Sequence, residues 1–244
     1  MKKIIALALA LVLCLTLFAA CGKKKTLVVA TSPDFAPFES LEGDKVVGIE
    51  VDILEYVCKE LGMKLEIEQM DFDSVLPGVQ SGKYDCGMSG ITVTEDRKKN
   101  VLFSEVYYNA AQVIVVKSDS AIKTKADLAG KTVSVQTGTT AESGCQDEKI
   151  KTQAFNANAD AKAALTTGKV DAWVVDNLTA LQMVKDGDGL KILEEKMTEE
   201  PYAFAFAFGS EDLVAAIDEI LVKLIENGTI AGIFDTYGEA YAKP

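Results

Sequence analysis

The chain contains no histidine among its 244 residues. Catalytic groups in which histidine activates a serine or a cysteine are therefore excluded, and so are most zinc sites. Cysteine is also scarce, because only Cys58, Cys86 and Cys145 follow the N-terminal segment and no C-x-x-C pair occurs. The sequence thus predicts no disulfide framework, no metal site and no cofactor, although it leaves a Cys58–Cys86 or a Cys86–Cys145 bridge open.

Basic residues are outnumbered by acidic ones. The chain has 25 Lys and Arg against 37 Asp and Glu, which gives a formal net charge of −12, and no basic stripe is visible. Binding to nucleic acid depends on clustered positive charge, so this function class is excluded. The acidic surplus favours solubility and, mildly, neutral or cationic ligands.

The one long apolar run lies at the N-terminus, where two lysines precede residues 4–18. This run is typical of a secretory signal and is shorter than the roughly 20 residues of a membrane span. The following residues resemble a bacterial lipobox, with Phe18 where the pattern prefers Leu. We therefore predict a lipoprotein signal peptide over residues 1–21, lipidation of Cys21 and a polar tether over 22–25. The protein is then extracytoplasmic and anchored by lipid to the outer face of the membrane, or periplasmic in an organism with an outer membrane; free secretion and an uncleaved anchor are the alternatives.

Strand and helix patterns alternate along the rest of the chain. Strands are predicted at 26–31, 64–69, 84–88, 101–103, 112–116, 132–136, 153–155, 170–175, 191–193 and 201–208, and helices at 50–61, 73–80, 158–166, 177–185, 213–225 and 230–237. This alternation favours parallel α/β sheets. Because the order β-α-β-α-β occurs once before about residue 110 and again after it, the sequence predicts two lobes with a cleft between them.

Polar residues collect where the predicted strands end, which is where ligands of parallel sheets lie. They are Ser32 after strand 26–31, Ser89, Gly90, Thr92 and Arg97 after strand 84–88, Thr139 and Thr140 after strand 132–136, and Asp176 after strand 170–175. Arg97 suits a carboxylate, and so do the free amides at Thr139 and Thr140, where a helix begins near Ala141. Asp176 suits an ammonium group. A free α-amino acid has both groups, and Phe35 and Phe72 are placed to enclose its side chain.

Eight segments of the chain, taken in order, resemble the solute-binding proteins of family 3, the polar amino-acid receptors of ABC importers. The segments are T-S-P-D-F-A-P-F-E (31–39), V-V-G-I-E-V-D-I (46–53), D-F-D-S-V-L-P-G-V-Q-S-G-K-Y-D (71–85), S-G-I-T-V-T-E-D-R (89–97), F-S-E-V-Y-Y (103–108), D-L-A-G-K-T-V-S-V-Q-T-G-T-T (127–140), G-K-V-D-A-W-V-V-D (168–176) and N-G-T-I (227–230). The resemblance implies a two-lobed, periplasmic-binding-protein-like (type II) α/β fold with a ligand cleft. Two crossing strands, expected near 111–116 and 202–206, join a lobe of residues 26–112 plus 206–244 to a lobe of residues 113–205.

The resemblance also implies roles for the strand-end residues. Arg97 holds the α-carboxylate with help from Thr92 and from the amide and hydroxyl of Thr140. Asp176 holds the α-ammonium, to which the Gly90 carbonyl and Ser89 also contribute, and Phe35 and Phe72 pack on the ligand side chain. The implied partners are an ABC permease and an ATPase, and we expect a monomer that binds its ligand without catalysing a reaction.

Two departures from the family pattern bear on the ligand. Many relatives that bind basic amino acids carry an acid where this chain has Ser32, and many have Gly-Phe-Asp at residues 48–50 where this chain has Gly-Ile-Glu. A polar or small neutral amino acid is therefore favoured, although Asp34 offers an acid two residues from Ser32.

Other interpretations of these residues remain. The chain is alternatively a dehydratase-like enzyme of the cyclohexadienyl or arogenate type, with Asp34, Glu39 or Glu50 as general acid, or a sensor that acts with a separate receptor. Structural roles are also open: Asp176 and the Thr139–Thr140 pair as helix caps, and the two phenylalanines as core.

Overall fold

A computed structural model describes residues 25–244; the predicted signal peptide, Cys21 and residues 22–24 lie outside this range. Two five-stranded sheets dominate it. The first sheet contains β1 (Thr26–Thr31), β5 (Lys64–Gln69), β6 (Cys86–Gly87), β7 (Leu102–Phe103) and β15 (Ala205–Phe206), in the order β5-β1-β6-β15-β7. The second contains β9 (Gln112–Lys117), β10 (Thr132–Gln136), β11 (Lys151–Phe155), β12 (Ala172–Asp176) and β13 (Leu190–Lys196), in the order β11-β10-β12-β9-β13.

The remaining elements surround these sheets. The smaller strands are β2 (Asp34–Phe35), β3 (Glu39–Glu42) and β4 (Lys45–Val47), which form one small sheet, and β8 (Tyr108–Ala110) and β14 (Glu200–Tyr202), which form another. The helices are α1 (Ile49–Glu60), α2 (Phe72–Gln80), α3 (Thr140–Asp147), α4 (Asn158–Thr166), α5 (Asn177–Met183), α6 (Glu211–Glu226) and α7 (Thr229–Thr236), with 3₁₀ turns at Arg97–Lys99 and Lys125–Leu128.

The strand directions bring the site residues to one edge of each sheet. Strand β1 pairs in parallel with β5 and β6, and β10 pairs in parallel with β11 and β12. Strand β9 runs antiparallel to β12, so its first residue Gln112 lies beside Asp176. The α/β prediction is confirmed, and the carboxyl ends of β1, β6, β10 and β12 present polar residues to the cleft.

Each sheet buries the apolar face of its helices. In α1, Ile53, Leu54 and Val57 are fully buried and share one face, at the spacing that predicted a helix over 50–61. Burying a side chain of this kind contributes about 1.5–3 kcal/mol. In the second sheet Trp173 is fully buried, as the sequence predicts, and packs in one cluster with Leu165 of α4.

The chain passes between the sheets twice, through the antiparallel ladder of β8 and β14. The first crossing therefore lies at 108–110 and not at 111–116, because residues 112–117 already pair inside the second sheet. The predicted strand 201–208 is interrupted: the Ala203 amide donates to the Ile91 carbonyl at 3.1 Å, away from the ladder. The chain thus pairs with β8 up to Tyr202 and with the first sheet from Ala205. Because aromatic residues alternate through both parts, the sequence indicates one strand.

The three cysteines of the described residues are buried and unpaired, so neither bridge that the sequence left open is formed. Between residues 25 and 244, no helix combines the length and the hydropathy needed to cross a bilayer.

Candidate functional site

A cavity with about 430 Å³ of empty space, part of it open to solvent, lies between the two sheets. Residues from both sheets line it: Asp34, Phe35, Phe72, Ser89, Gly90, Thr92, Arg97, Gln112, Gln136, Thr139, Thr140, Ala141, Asn158, Val174, Val175 and Asp176. Every predicted site residue except Ser32 lines this cavity.

Arg97 is held at the cavity wall by backbone carbonyls. Its amide donates to the Thr94 hydroxyl at 3.1 Å, which begins the short 3₁₀ turn. The guanidinium donates to the Thr92 carbonyl at 3.0 Å and to the Gly138 carbonyl at 3.2 Å, and it lies 5.7 Å from the centre of the Phe72 ring. Burial lowers the pKa of Arg97, but a guanidinium keeps its charge at any ordinary pH. Its remaining N–H groups are free for a carboxylate.

Two buried glutamates hold the turn at Ser89 and Gly90. The Gly90 amide donates to both carboxylate oxygens of Glu50, at 3.1 and 3.2 Å, and the Ser89 hydroxyl donates to Glu39 at 3.0 Å. Burial, and then the charge of Glu50, raise the pKa of Glu39 well above its usual range; burial also raises the pKa of Glu50. Neither glutamate lines the cavity, so neither is placed as a general acid.

Asp176 stands at the cap position of α5, yet its side chain forms no cap bond there. Its carboxylate accepts a hydrogen bond from the Tyr202 hydroxyl instead, and the residue is 7% exposed. Burial and the nearby charge of Glu200 raise the pKa of Asp176 to about 7, against the lowering effects of Tyr202 and Arg97. The cap interpretation is therefore wrong for Asp176, and its carboxylate faces the cavity.

The hydroxyls of Thr92 and Thr140 are already engaged. Both donate to the same oxygen of Glu200, Oε2, at 2.6 and 2.8 Å, and Gln112 donates to the Thr140 hydroxyl at 2.8 Å. The helix cap is Thr139, which accepts from the Glu142 amide at 3.3 Å. Within residues 25–244 the Thr140 and Ala141 amides donate to no acceptor, as expected for a first helical turn.

Phe35 and Phe72 both line the cavity, and Phe35 also belongs to the hydrophobic core. Phe35 is 9% exposed and stacks on Phe38 with ring centres 5.7 Å apart, while Phe72 is partly exposed beside Arg97. Ser32 does not line the cavity. Its hydroxyl donates to Asp34 at 3.1 Å and its amide donates to Ser89 at 3.2 Å, so it supports both neighbours.

Asp34 reaches across the cleft to the second sheet. Its carboxylate accepts from the Asn158 amide at 2.8 Å and from the Gln136 side chain at 3.2 and 3.3 Å. All the donors to Asp34 are neutral, so its charge has no cationic partner among the described residues.

Several residues of the site had no role in the prediction from sequence: Gln112, Gln136, Asn158, Glu200 and Tyr202. Gln136 is the last residue of β10, so the strand-end rule that selected Asp176 also applies to it. Gln112 begins an antiparallel strand, and only the observed register places it beside Asp176.

Comparison with known proteins identifies the chain. A family model described as bacterial extracellular solute-binding proteins, family 3, matches residues 27–240. The chain belongs to this family. The arginine-binding extracellular protein ArtP of Bacillus subtilis is 36% identical over 216 residues, which cover 86% of this chain and 84% of ArtP.

Solved structures of the family agree in fold. The arginine-, lysine-, histidine-binding protein ArtJ of Geobacillus stearothermophilus aligns with a TM-score of 0.83 at 36% identity, covering 88% of this chain and 96% of ArtJ. An ancestral arginine-binding protein bound to glutamine aligns with a TM-score of 0.82 at 38% identity, covering 88% of this chain and 98% of that one. The two-lobed fold is thus confirmed. Since the family and the similar proteins are binding proteins, the chain is not an enzyme, and the dehydratase alternative is set aside.

Proposed function

We propose that the chain captures a free α-amino acid in the cleft and serves as the substrate-binding component of an ABC importer. The observation that carries this proposal is the placing of opposite charges, Arg97 and Asp176, on opposite sides of one cavity. Arg97 and the Thr140 amide hold the α-carboxylate, and Asp176 holds the α-ammonium together with the Gly90 carbonyl and Ser89. Closure excludes water, which strengthens both ion pairs.

Closure brings together a lobe built on the first sheet and a lobe built on the second. Their boundaries lie in the β8–β14 ladder and not at 112/113 and 205/206, since Gln112 already pairs in the second sheet and Ala205 in the first. Hydrogen bonds across the cleft support this closed arrangement, since Arg97 and Asp34 both contact residues of the other sheet. The ligand provides further contacts to both lobes, so its binding stabilises the closed form.

Two classes of ligand side chain fit the far end of the cavity. The sequence favours a polar or small neutral side chain, for which Gln136 and Asn158 are suitable partners. The uncompensated charge of Asp34 favours a basic one instead, and the similar proteins named for arginine support that choice. We propose a polar side chain that ends in a cation.

A thermal-shift panel of the twenty amino acids tests the ligand class. We expect the largest shifts from basic amino acids, and expect Asp34→Asn to reduce those shifts more than the shifts by neutral amino acids, which lose only the hydrogen bonds of Asp34 across the cleft. Equal losses for arginine and its neutral isostere citrulline would show that Asp34 does not recognise charge. Shifts from small neutral amino acids alone would instead support the prediction from sequence, which is a polar or small neutral ligand.

We also propose that Cys21 is lipidated and anchors the protein outside the cell membrane, where it delivers ligand as a monomer to a permease with its ATPase. Replacing Cys21 with Ser should release the protein from membranes into the soluble fraction. An unchanged distribution would contradict the anchor. Uptake of the ligand that depends on the permease would support a function in transport. Uptake that does not depend on it would favour the sensor function.

A further inference from the structure

Glu200 lies on the ladder that joins the lobes and takes no part in the ligand contacts proposed above. It is 2% exposed and, within residues 25–244, forms no salt bridge with lysine or arginine. Its oxygens accept from three hydroxyls instead, those of Thr92, Thr140 and Thr198. A buried carboxylate is ordinarily paired with a cation, so this arrangement requires an explanation.

The two hydroxyls on Oε2 belong to opposite sides of the cleft. Thr92 follows β6 of the first sheet, while Thr140 begins α3 directly after the β10 strand of the second. Their hydroxyls lie 2.6 and 2.8 Å from the same oxygen of Glu200. Opening the cleft separates Thr92 from Thr140, so at least one of these hydrogen bonds must break.

Glu200 also fixes the direction of both hydroxyls. In these hydrogen bonds each threonine donates its single hydroxyl proton to Glu200. The hydroxyl oxygens are then left as acceptors, and on Thr140 one acceptor position is filled by Gln112. A ligand group that meets these oxygens must be a donor: an ammonium satisfies them and a carboxylate does not.

We propose that Glu200 is a positioning residue that makes the Thr92 and Thr140 hydroxyls acceptors for the ligand ammonium and completes this arrangement only in the closed cleft. The inference rests on the proposed function and corrects one part of the expectation from sequence, in which these hydroxyls help to hold the carboxylate. Of the threonine groups in that expectation, only the Thr140 amide remains to hold the carboxylate together with Arg97. The chain then selects α-amino acids over carboxylic acids that lack the amino group.

Glu200→Leu tests this selection, because a side chain of similar size with no acceptor leaves both threonine hydroxyls free to donate to a carboxylate. The probes are the amino acid with the largest shift in the panel and its analogue without the α-amino group, both titrated by calorimetry. We expect the amino acid to bind about tenfold to a hundredfold more weakly, as when a buried hydrogen-bonded charge is lost. Binding of the analogue should change less, so the preference for the ammonium falls.

Thr198→Val is the matched control, since it removes the third hydroxyl on Glu200 without altering a residue that lines the cavity. We expect it to keep the preference for the ammonium. If Glu200→Leu does not fold, Glu200→Asp replaces it, because the shorter acid cannot reach both hydroxyls at once. Equal losses for both probes, or no loss, would overturn the inference alone; a wild-type protein that binds no amino acid would overturn the proposed function as well.

Discussion

At the scale of single residues, the site is a pair of opposite charges whose surroundings differ. Arg97 is placed by carbonyls and keeps its charge, whereas Asp176 is buried among an aromatic hydroxyl and a second acid. The arginine is therefore a fixed anchor, and the aspartate is the group whose charge responds to pH.

Arg97→Ala should raise the dissociation constant at least about thirtyfold, because truncating a buried, hydrogen-bonded charge costs about 2–5 kcal/mol. The ligand-induced thermal shift should disappear while the unfolding temperature of the free protein changes little. Lys98→Ala is the control, since Lys98 is exposed and pairs only with Glu95. A normal shift in Arg97→Ala would remove this residue from the site.

The affinity should depend on pH through Asp176. A proton competes with the ligand ammonium, so below the Asp176 pKa of about 7 the affinity should fall about tenfold for each pH unit. Titrations at pH 5.5, 6.5 and 7.5 would measure this slope. Asp176→Asn should bind weakly at all three values and show no such slope.

The same residue should affect the stability of the free protein in the opposite direction. An unfolded aspartate loses its proton near pH 4, whereas folded Asp176 retains it to about pH 7. Stability should therefore fall as the pH rises through this interval and level off above it, because the folded state then contains the buried charge. Urea unfolding of wild type and Asp176→Asn would isolate this effect from that of the buried glutamates.

The sequence predicted the charged residues of the site but not the residues that position them. Asp176 directly follows an apolar strand, so local pattern selects it. Glu200 follows another glutamate in a stretch with no periodicity, and only the folded chain brings it to residues 108 and 60 positions away. Positioning residues such as Glu200 depend on tertiary contacts, which a local sequence pattern does not reveal.

At the scale of elements, local pattern predicted the regular segments well. Strands 26–31, 64–69 and 132–136 and helix 158–166 have the predicted bounds, because period and flanking residues agree there. Strand 84–88 is reduced to Cys86–Gly87, since the chain next turns toward the buried glutamates. Tertiary hydrogen bonds decide such cases.

The turn after β6 requires glycine at position 90. Gly90 has φ +53°, and a Cβ there would lie 2.5 Å from the Phe35 ring. Gly90→Ala should lower the free energy of unfolding by about 2–4 kcal/mol through backbone strain and overpacking. Gly43→Ala is the matched control, with φ +63° and nothing within 4 Å of the added Cβ.

Urea unfolding of the two glycine variants separates the contributions. Gly43→Ala should show the backbone strain alone, about 1–2 kcal/mol. Equal destabilisation in Gly90→Ala and Gly43→Ala would mean that the Phe35 ring moves aside without a cost in free energy. The packing of Phe35 in the cavity wall would then not be restrictive.

At the scale of the whole molecule, closure is held partly at the rim of the cleft. The Asn156 side chain donates to Asp71 at 2.9 Å, which joins the two lobes away from the cavity. Asp71→Ala should increase the dissociation rate about twofold to fivefold, since exposed contacts contribute at most about 1 kcal/mol. Asp73→Ala, a neighbouring acid bonded only to Ser74, is the control.

Stopped-flow measurement of ligand release would test the rim contact. A change confined to the association rate, or an equal change in Asp73→Ala, would show that the Asp71–Asn156 contact does not retain the closed form.

The position of β15 between β6 and β7 has a consequence for synthesis. All strands of the second sheet lie within residues 112–196, so every residue of that sheet is synthesised before Ala205. The first sheet, although it begins the chain, must wait for β15 and leaves β6 and β7 as unpaired edges until then. A chain that stops before residue 205 therefore lacks an inner strand of the first lobe rather than a dispensable tail.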